Sequence, residues 1–112
     1  MSEHFAVVVP QQGDSTVIEW DPKRLDPAYA AIGCTTVELL DVHHLKLHLW
    51  IDEDARCLAN VPTMNPRASL LSGVHILGIV VVTPLTNEPD APGFDRAEAH
   101  AFASAMNVLL LR

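Results

Sequence analysis

Residues 44–51 read HLKLHLWI and carry the clearest strand pattern in the chain. Every second residue is aliphatic, which is the period of a β-strand with one apolar face. The polar residues that follow predict a turn at 52–55, and residues 56–61 are expected to return as an antiparallel strand. The aliphatic positions are Leu45, Leu47, Leu49 and Ile51, and the intervening positions are His44, Lys46, His48 and Trp50.

Further strands are predicted on both sides of this stretch. Residues 4–10 and 16–20 are β-branched runs on either side of a turn, which indicates a hairpin, and residues 35–40 form another such run. Residues 75–83 read HILGIVVVT and are the most apolar of all, so they predict a central strand buried on both faces. Gly78 within that run indicates a bulge or a close approach of another segment.

Three helical segments complete the prediction. A short helix is expected at 26–32 before Gly33, and a helical turn at 67–71. The proline-rich segment 84–93 predicts a loop, and 94–111 a C-terminal helix. Its apolar stripe at the helical period comprises Phe94, Ala97, Ala101, Phe102, Ala105, Met106, Leu109 and Leu110.

The predicted fold is therefore α+β, in one domain spanning residues 1–112. A mainly antiparallel, twisted sheet of five to six short strands carries a short helix and a C-terminal helix packed on it. The C-terminal stripe is wider than one sheet face needs, which indicates either deep burial or pairing with a second copy, and a homo-oligomer is expected.

Composition excludes several classes of protein. The chain has 112 residues, 49% of them hydrophobic, and a formal net charge of -7, which disfavours nucleic acid as a direct ligand. Cys34 and Cys57 form no metal-binding or disulfide spacing, and no secretory signal precedes them, so a cytoplasmic location is expected. The longest apolar run, 76–82, is too short for a membrane helix.

The order of four short stretches resembles a known family. IGCTTVELL at 32–40 has a glycine before a strand, and LWIDEDARCL at 49–58 contains an acidic turn. NVPTMNPRASLL at 60–71 carries an Asn-x-x-Ala-Ser element, and ILGIVVVTP at 76–84 is a strand with an internal glycine. In this order they resemble domain of unknown function 3846, a small family of phage and actinobacterial proteins.

This resemblance covers roughly residues 15 to 84 and implies a small α+β domain, often encoded among phage accessory genes. Cys34 stands where the family commonly has a second glycine, and Ala55 where its acidic turn usually has one. Both differences affect the expected turn geometry more than the expected fold. The family carries no established activity, so the resemblance implies none.

Two groups of residues are candidates for binding. The first is a polar run broken by prolines, which could cradle a small ligand and use an arginine for a phosphate or carboxylate. It consists of Asn60, Thr63, Asn65, Arg67 and Ser69. The alternative is structural, with Asn65 capping the helical turn that follows it.

The second candidate is the strand face that carries His44, Lys46, His48 and Trp50. If it is exposed, it forms a patch that binds a partner or an anionic ligand; alternatively, the C-terminal helix or a second subunit covers it. His44 and His48 would lie about 13 Å apart along a strand, too far to share one metal ion, so neither a metal nor a cofactor is predicted.

These features favour a non-enzymatic binding protein of the phage accessory type, which engages a host protein or a small anionic ligand. No residue is assigned a catalytic role, because the sequence contains none of the common catalytic motifs. Two alternatives remain open. One is a small enzyme acting on a nucleotide-like metabolite with His44 or His75 as acid or base, and the other is a self-assembling structural component.

Overall fold

The computed structural model describes residues 4–21, 23–58, 60–86 and 93–109. Five strands form one antiparallel sheet, with a helix on each face. The strands are β1 (Phe5–Val9), β2 (Thr16–Glu19), β3 (Val37–Val42), β4 (Leu47–Asp52) and β5 (Val80–Pro84). The helices are α1 (Asp26–Ile32), α2 (Pro66–Ser72) and α3 (Arg96–Val108), with short 3-10 turns at His43–Leu45 and Ala55–Cys57.

The strand order across the sheet is β2-β1-β5-β4-β3. The hairpins β1–β2 and β3–β4 therefore do not pair with each other, because β5 pairs with β1 on one side and β4 on the other. The residues of α1 pack against one face of the sheet and those of α3 against the opposite face. This arrangement confirms the predicted α+β fold, with a C-terminal helix packed on a mainly antiparallel sheet.

The central strand β5 is buried on both faces, as predicted, but it is shorter than expected. Val80, Val81, Val82 and Thr83 have no exposed surface. The strand begins at Val80 instead of residue 75 because Gly78 has a φ of +82° and turns the chain. A Cβ at Gly78 would lie 3.4 Å from the Pro62 Cγ, so the close approach predicted at this glycine is present.

The prediction of one apolar face on β4 is wrong. Leu47, His48, Leu49 and Trp50 are all buried, because β4 lies inside the sheet and both of its faces are covered. The strand also starts later than predicted. Residues 43–45 form a 3-10 turn that ends at Lys46, whose φ of +57° is left-handed, so His44 and Lys46 lie outside the strand.

The return strand predicted at 56–61 is also absent. Residues 55–57 form a 3-10 turn, and among the described residues up to Val61 no further strand follows. The neighbours of β4 are β3 and β5 instead. The described part of the sheet accordingly has five strands, at the lower limit of the predicted number.

The bounds of the first two helices agree closely with those predicted from the sequence. Helix α1 covers the predicted residues 26–32 and ends at Gly33, whose φ is +78° and whose N–H donates to the Tyr29 carbonyl. Helix α2 extends the predicted turn at 67–71 by one residue at each end.

Helix α3 lies where it was predicted, and its predicted apolar stripe is correct in part: Phe94 and Met106 are buried, and Phe102 and Leu109 pack against the core. The alanines of the stripe were wrong, since Ala97, Ala101 and Ala105 are exposed whereas Ala99 and Ala103 are buried. Alanines at alternate positions from 97 to 105 fall on two opposite sides of the helix, so composition does not single out the buried side. Phe94 fixes the start of α3 against the sheet instead, because its N–H and its carbonyl both form hydrogen bonds with Phe5 in β1. Leu110 and residues 87–92 of the predicted loop lie outside the described residues.

No helix within the described ranges is both long and apolar enough to span a membrane.

Candidate functional site

A cavity of about 330 Å³ lies where the β1–β2 turn, the start of α2 and the end of α3 meet. Its surface is partly polar, and its single buried cation is Arg67. The lining residues are Gln11, Gly13, Asp14, Pro66, Arg67, Asn107 and Leu109.

Asn65 positions the start of α2 beside this cavity. Its side chain is fully buried, and its Oδ1 accepts the N–H of Ala68 at 3.0 Å, which caps the helix. Its Nδ2 donates to the carbonyls of Val9 at 2.8 Å and Gly78 at 2.9 Å. Asn65 therefore joins β1, α2 and the segment before β5, and Pro66 can occupy the first helical position, where no N–H is needed.

The guanidinium of Arg67 lies inside this framework with neutral partners only. Nη2 donates to the carbonyls of Pro10 at 2.9 Å and Gly13 at 2.7 Å, and Nη1 donates to the carbonyl of Met106 at 3.3 Å. The residue is 7% exposed. Within the described ranges, no carboxylate lies within 4.0 Å of this cation.

Asn107 and Asp14 add further polar groups to the cavity, and Ser15 lies next to them in the chain or through a hydrogen bond. Asn107 on α3 accepts the N–H of Ser15 through Oδ1 at 2.7 Å, which ties the hairpin turn to the helix. The Ser15 Oγ is buried and has no hydrogen-bond partner, and no other described side chain has such an atom. Asp14 lines the cavity with an exposed carboxylate. The site thus holds one buried positive charge and, at its rim, one negative charge.

The fold places the residues of the polar run, which was predicted as a ligand loop, in different environments. Arg67 lines the cavity, whereas Asn65 acts as the helix cap of the structural alternative. Ser69 Oγ accepts the N–H of Ile76 at 2.9 Å and closes the turn after α2. Asn60 and Thr63 are exposed, and Thr63 contributes its backbone carbonyl to the N–H of Gly78.

The second predicted binding face is largely covered, since both of its residues that lie in β4, His48 and Trp50, are buried. Trp50 is 8% exposed, and its ring centroid lies 5.3 Å from that of Trp20. Its Nε1 donates to the Thr83 Oγ1 at 2.9 Å. The covering layer is α1 with Ala28, together with Trp20, and not the C-terminal helix or a second subunit.

The histidines considered for chemistry lie apart from one another. His44 is exposed on the 3-10 turn, and His75 is exposed beyond α2. His48 is buried, with its Nδ1 2.7 Å from the Asp41 Oδ1 across the β3–β4 pair. None of the described residues lining the Arg67 cavity is a histidine. A group of three or more metal-ligating side chains is also not found in the described ranges.

Cys34 lies in a smaller cavity of about 220 Å³ beside Asp52 and Asp54. Burial and these two carboxylates raise the pKa of the Cys34 thiol, because both disfavour the thiolate. A raised thiol pKa is the reverse of what a nucleophilic cysteine needs.

Comparison of the chain with protein-family models, with curated proteins and with solved structures gives no significant match. The resemblance to domain of unknown function 3846 consequently stays a prediction.

Sequence reasoning identified Arg67 but not the residues around it. Gln11 and Asp14 belong to a turn whose composition predicts only a hairpin, and Asn107 lies outside the predicted apolar stripe of α3. The contact between Ser15 and Asn107 joins residues 92 positions apart, and no local pattern signals it.

Proposed function

We propose that this chain is a non-enzymatic binding protein that holds a small anionic ligand in the cavity beside Arg67. The observation that carries the proposal is a buried guanidinium whose described hydrogen-bond partners are all neutral carbonyls. A buried cation normally has a paired anion, because removing a charge from water costs several kcal/mol without compensation. An anionic ligand would supply that pair.

The guanidinium has donors left for a ligand. It carries five N–H groups, and the three bonds to Pro10, Gly13 and Met106 use three of them. The remaining two, one on Nε and one on Nη1, lie on different edges of the guanidinium, so each can donate a single hydrogen bond to a carboxylate or phosphate. The cavity volume of about 330 Å³ is at the lower end of the range for small-molecule sites, so the ligand is small.

The side chains at the rim set further conditions on the ligand. Asp14 would repel a second negative charge, which favours a ligand with one anionic group. Gln11 and the amide nitrogen of Asn107 can donate hydrogen bonds from the sides. A monoanionic carboxylate or phosphate ester that also carries hydroxyl or amino groups fits this combination.

The carbonyl bonds of Arg67 also have a structural effect, since they fasten the hairpin turn and the end of α3 to α2. Replacing Arg67 would therefore disturb folding and binding together. Asp14 gives a cleaner test, because it is exposed and its neutralisation leaves every described hydrogen bond of the cavity in place.

The test is a titration of ¹⁵N-labelled protein with inorganic phosphate, and separately with acetate, at constant ionic strength. We expect amide shifts at Gly13, Asp14 and Arg67. The Asp14→Asn variant should bind about fivefold more tightly, because removing a carboxylate near the anion relieves roughly 1 kcal/mol of repulsion. Asn107→Asp, which keeps the acceptor for Ser15, should bind correspondingly more weakly.

Glu38→Gln is the matched control, since it makes the same charge change on β3 at the far edge of the sheet. Its affinity should equal that of the unaltered protein. The proposal fails if neither anion shifts the cavity amides, or if Asp14→Asn and Glu38→Gln change the affinity equally. The second result would mean that net charge, and not this cavity, governs binding.

Three further proposals accompany this one. We propose a phage or actinobacterial accessory protein on the family resemblance, and a cytoplasmic location on the cysteine spacing. Homo-oligomer formation is supported by exposed apolar side chains at Leu70 and Val108, which are 57% and 63% exposed.

A further inference from the structure

Strand β3 forms an edge of the sheet that the described residues build. It pairs with β4 along all six of its residues, and among the described residues no strand pairs with its other side. An uncovered edge presents a row of free N–H and C=O groups, which can accept another strand.

The hydrogen-bond pattern identifies the backbone groups that point outward. The N–H of Glu53 donates to the Thr36 carbonyl, so these two residues form a hydrogen-bonded pair across the hairpin. Such pairs alternate along an antiparallel ladder. In the register of Val37 with Asp52, the outward groups therefore belong to Val37, Leu39 and Asp41.

Pro84 supports this register independently. It lies opposite Leu47 on the other side of β4, and it has no N–H to donate. A proline fits opposite Leu47 only if the two residues form no hydrogen bonds with each other. The backbone N–H and C=O of Leu47 therefore point toward β3. The backbone groups of Val42, which lies opposite Leu47, then point toward β4, and those of Asp41 point away from the sheet.

The side chains of this edge are apolar and acidic. Leu39 is 43% exposed, and Glu38 and Asp41 are exposed on opposite faces of the strand because they are three positions apart. Glu53 and Asp54 add exposed carboxylates beside Thr36 at the start of the strand. Within the described ranges, neither Glu38 nor Asp41 forms an ion pair with a lysine or arginine; the neighbours of the Asp41 carboxylate are histidines, His48 with Nδ1 at 2.7 Å and His43 with Nε2 at 4.0 Å.

We propose that β3 binds an extended, cationic segment of a partner protein by antiparallel strand addition. The segment would carry two lysine or arginine side chains three positions apart, one opposite Glu38 and the other opposite Asp41. Opposite charges directly across a strand pair stabilise it, and the intervening apolar positions would pack beside Leu39. Backbone bonds would come from Val37, Leu39 and Asp41.

A second copy of this chain is a poorer occupant of the edge. A two-fold antiparallel pairing of β3 with itself must set outward residues opposite outward residues, for example Leu39 opposite Leu39 of the copy. It brings Glu38 and Asp41 of both copies into one strand pair, and because β3 contains no lysine or arginine these carboxylates repel one another. A cationic strand has no such conflict.

The test uses the peptide acetyl-Val-Lys-Thr-Val-Lys-Val-amide, in which the lysines are three positions apart, and ¹⁵N-labelled protein. We expect amide shifts confined to β3 and its flanking turns. Hydrogen exchange at Val37, Leu39 and Asp41 should be fast in the free protein and slowed by saturating peptide. Protection of these amides before peptide is added would overturn the proposal, because the edge would already be covered.

Peptide variants separate strand addition from simple charge attraction. Moving the second lysine to the fourth position keeps composition and charge but breaks the match to Glu38 and Asp41, and should weaken binding about tenfold. N-methylation at the fourth position removes the N–H that meets Leu39 and should weaken binding by a similar factor. N-methylation at the third position removes only an outward N–H and should be tolerated.

Protein variants give the reciprocal control. The Glu38→Lys variant should bind the peptide with two lysines more weakly. It should bind more tightly a second peptide, in which glutamate replaces the lysine at the fifth position. Glu19→Lys makes the same change on β2, at the other edge, and should affect neither. Equal effects of the two substitutions, or equal binding of both N-methylated peptides, would overturn strand addition at β3.

Discussion

The Asn65 side chain donates a 2.8 Å hydrogen bond to the carbonyl of Val9, 56 positions earlier in the chain. The same amide bonds Gly78, and its oxygen caps α2. One neutral side chain thereby satisfies three backbone groups in a site with no water access. The network also holds α2 in the position from which Arg67 reaches the hairpin turn.

Replacement of Asn65 is expected to be severe. Asn65→Ala should lower the free energy of unfolding by about 3 kcal/mol or more, because it removes the cap and leaves two buried carbonyls unsatisfied. Urea denaturation followed by circular dichroism measures this loss. Asn60→Ala is the matched control, since Asn60 is exposed, and it should change stability by less than about 0.5 kcal/mol. A loss below about 1 kcal/mol for Asn65→Ala would contradict the described network.

Gly93 should tolerate no side chain. A Cβ there would overlap the backbone oxygen of Phe5, to which Phe94 is bonded. We expect Gly93→Ala to cost about 3 kcal/mol, since the backbone must shift and the paired Phe5–Phe94 bonds weaken.

Gly73→Ala provides the comparison for Gly93→Ala. Gly73 has a φ of +75° but open space around it, so only conformational strain of about 1 kcal/mol is expected. Thermal unfolding of both variants tests the difference. Equal destabilisation would show that Gly93 is not in close contact with β1.

The bond between Trp50 and Thr83 can be measured by a double-mutant cycle. Trp50→Phe removes the Nε1 donor, and Thr83→Val removes the acceptor while preserving its shape. Each single variant should lose about 1 to 3 kcal/mol, and the double variant about 1 kcal/mol less than the sum. Strict additivity in urea denaturation would mean that the hydrogen bond contributes nothing.

The two cysteines should differ in reactivity. Cys34 has a thiol pKa raised by burial and by the nearby carboxylates, while Cys57 is exposed. Less thiolate is present at Cys34 at neutral pH, so iodoacetamide should modify Cys57 first, and the lag of Cys34 should shrink as pH rises. Peptide mass spectrometry over a pH series measures both rates.

The control for this prediction is the same reaction in guanidinium chloride, where the two thiols should react alike. Asp54→Asn should speed modification of Cys34 in the folded protein, because one of the charges that raise its pKa is removed. A faster reaction at Cys34 than at Cys57 in the native state would contradict the description.

Local signals predicted the elements well and their surroundings poorly. Gly33 after an amphipathic turn located the end of α1, and a β-branched run located β5. Burial of β4 was misjudged because His48 and Trp50 resemble surface residues in the sequence. Their polar atoms find Asp41 and Thr83 only after β3 and β5 are in place.

The candidate site was likewise predictable only in part. Arg67 could be identified from its residue type and its proline-bounded loop, whereas Asp14 and Asn107 could not, since the hairpin turn and the end of α3 meet only through the fold. The alanine positions of the α3 stripe were predicted wrongly because alanines occupy two opposite sides of that helix. Residue chemistry is local, but the placement of a cavity depends on contacts distant in sequence.

The position of β5 between the two hairpins has a consequence for synthesis of the protein. During translation, β1–β2 and β3–β4 leave the ribosome first, and each can form from its own segment. Both hairpins then expose an apolar inner edge, β1 in one and β4 in the other, until residues 80–84 emerge. The nascent chain therefore carries two unsatisfied aggregation-prone edges from the emergence of β4 until β5 follows, and chaperones that bind exposed strands would act on it in that interval.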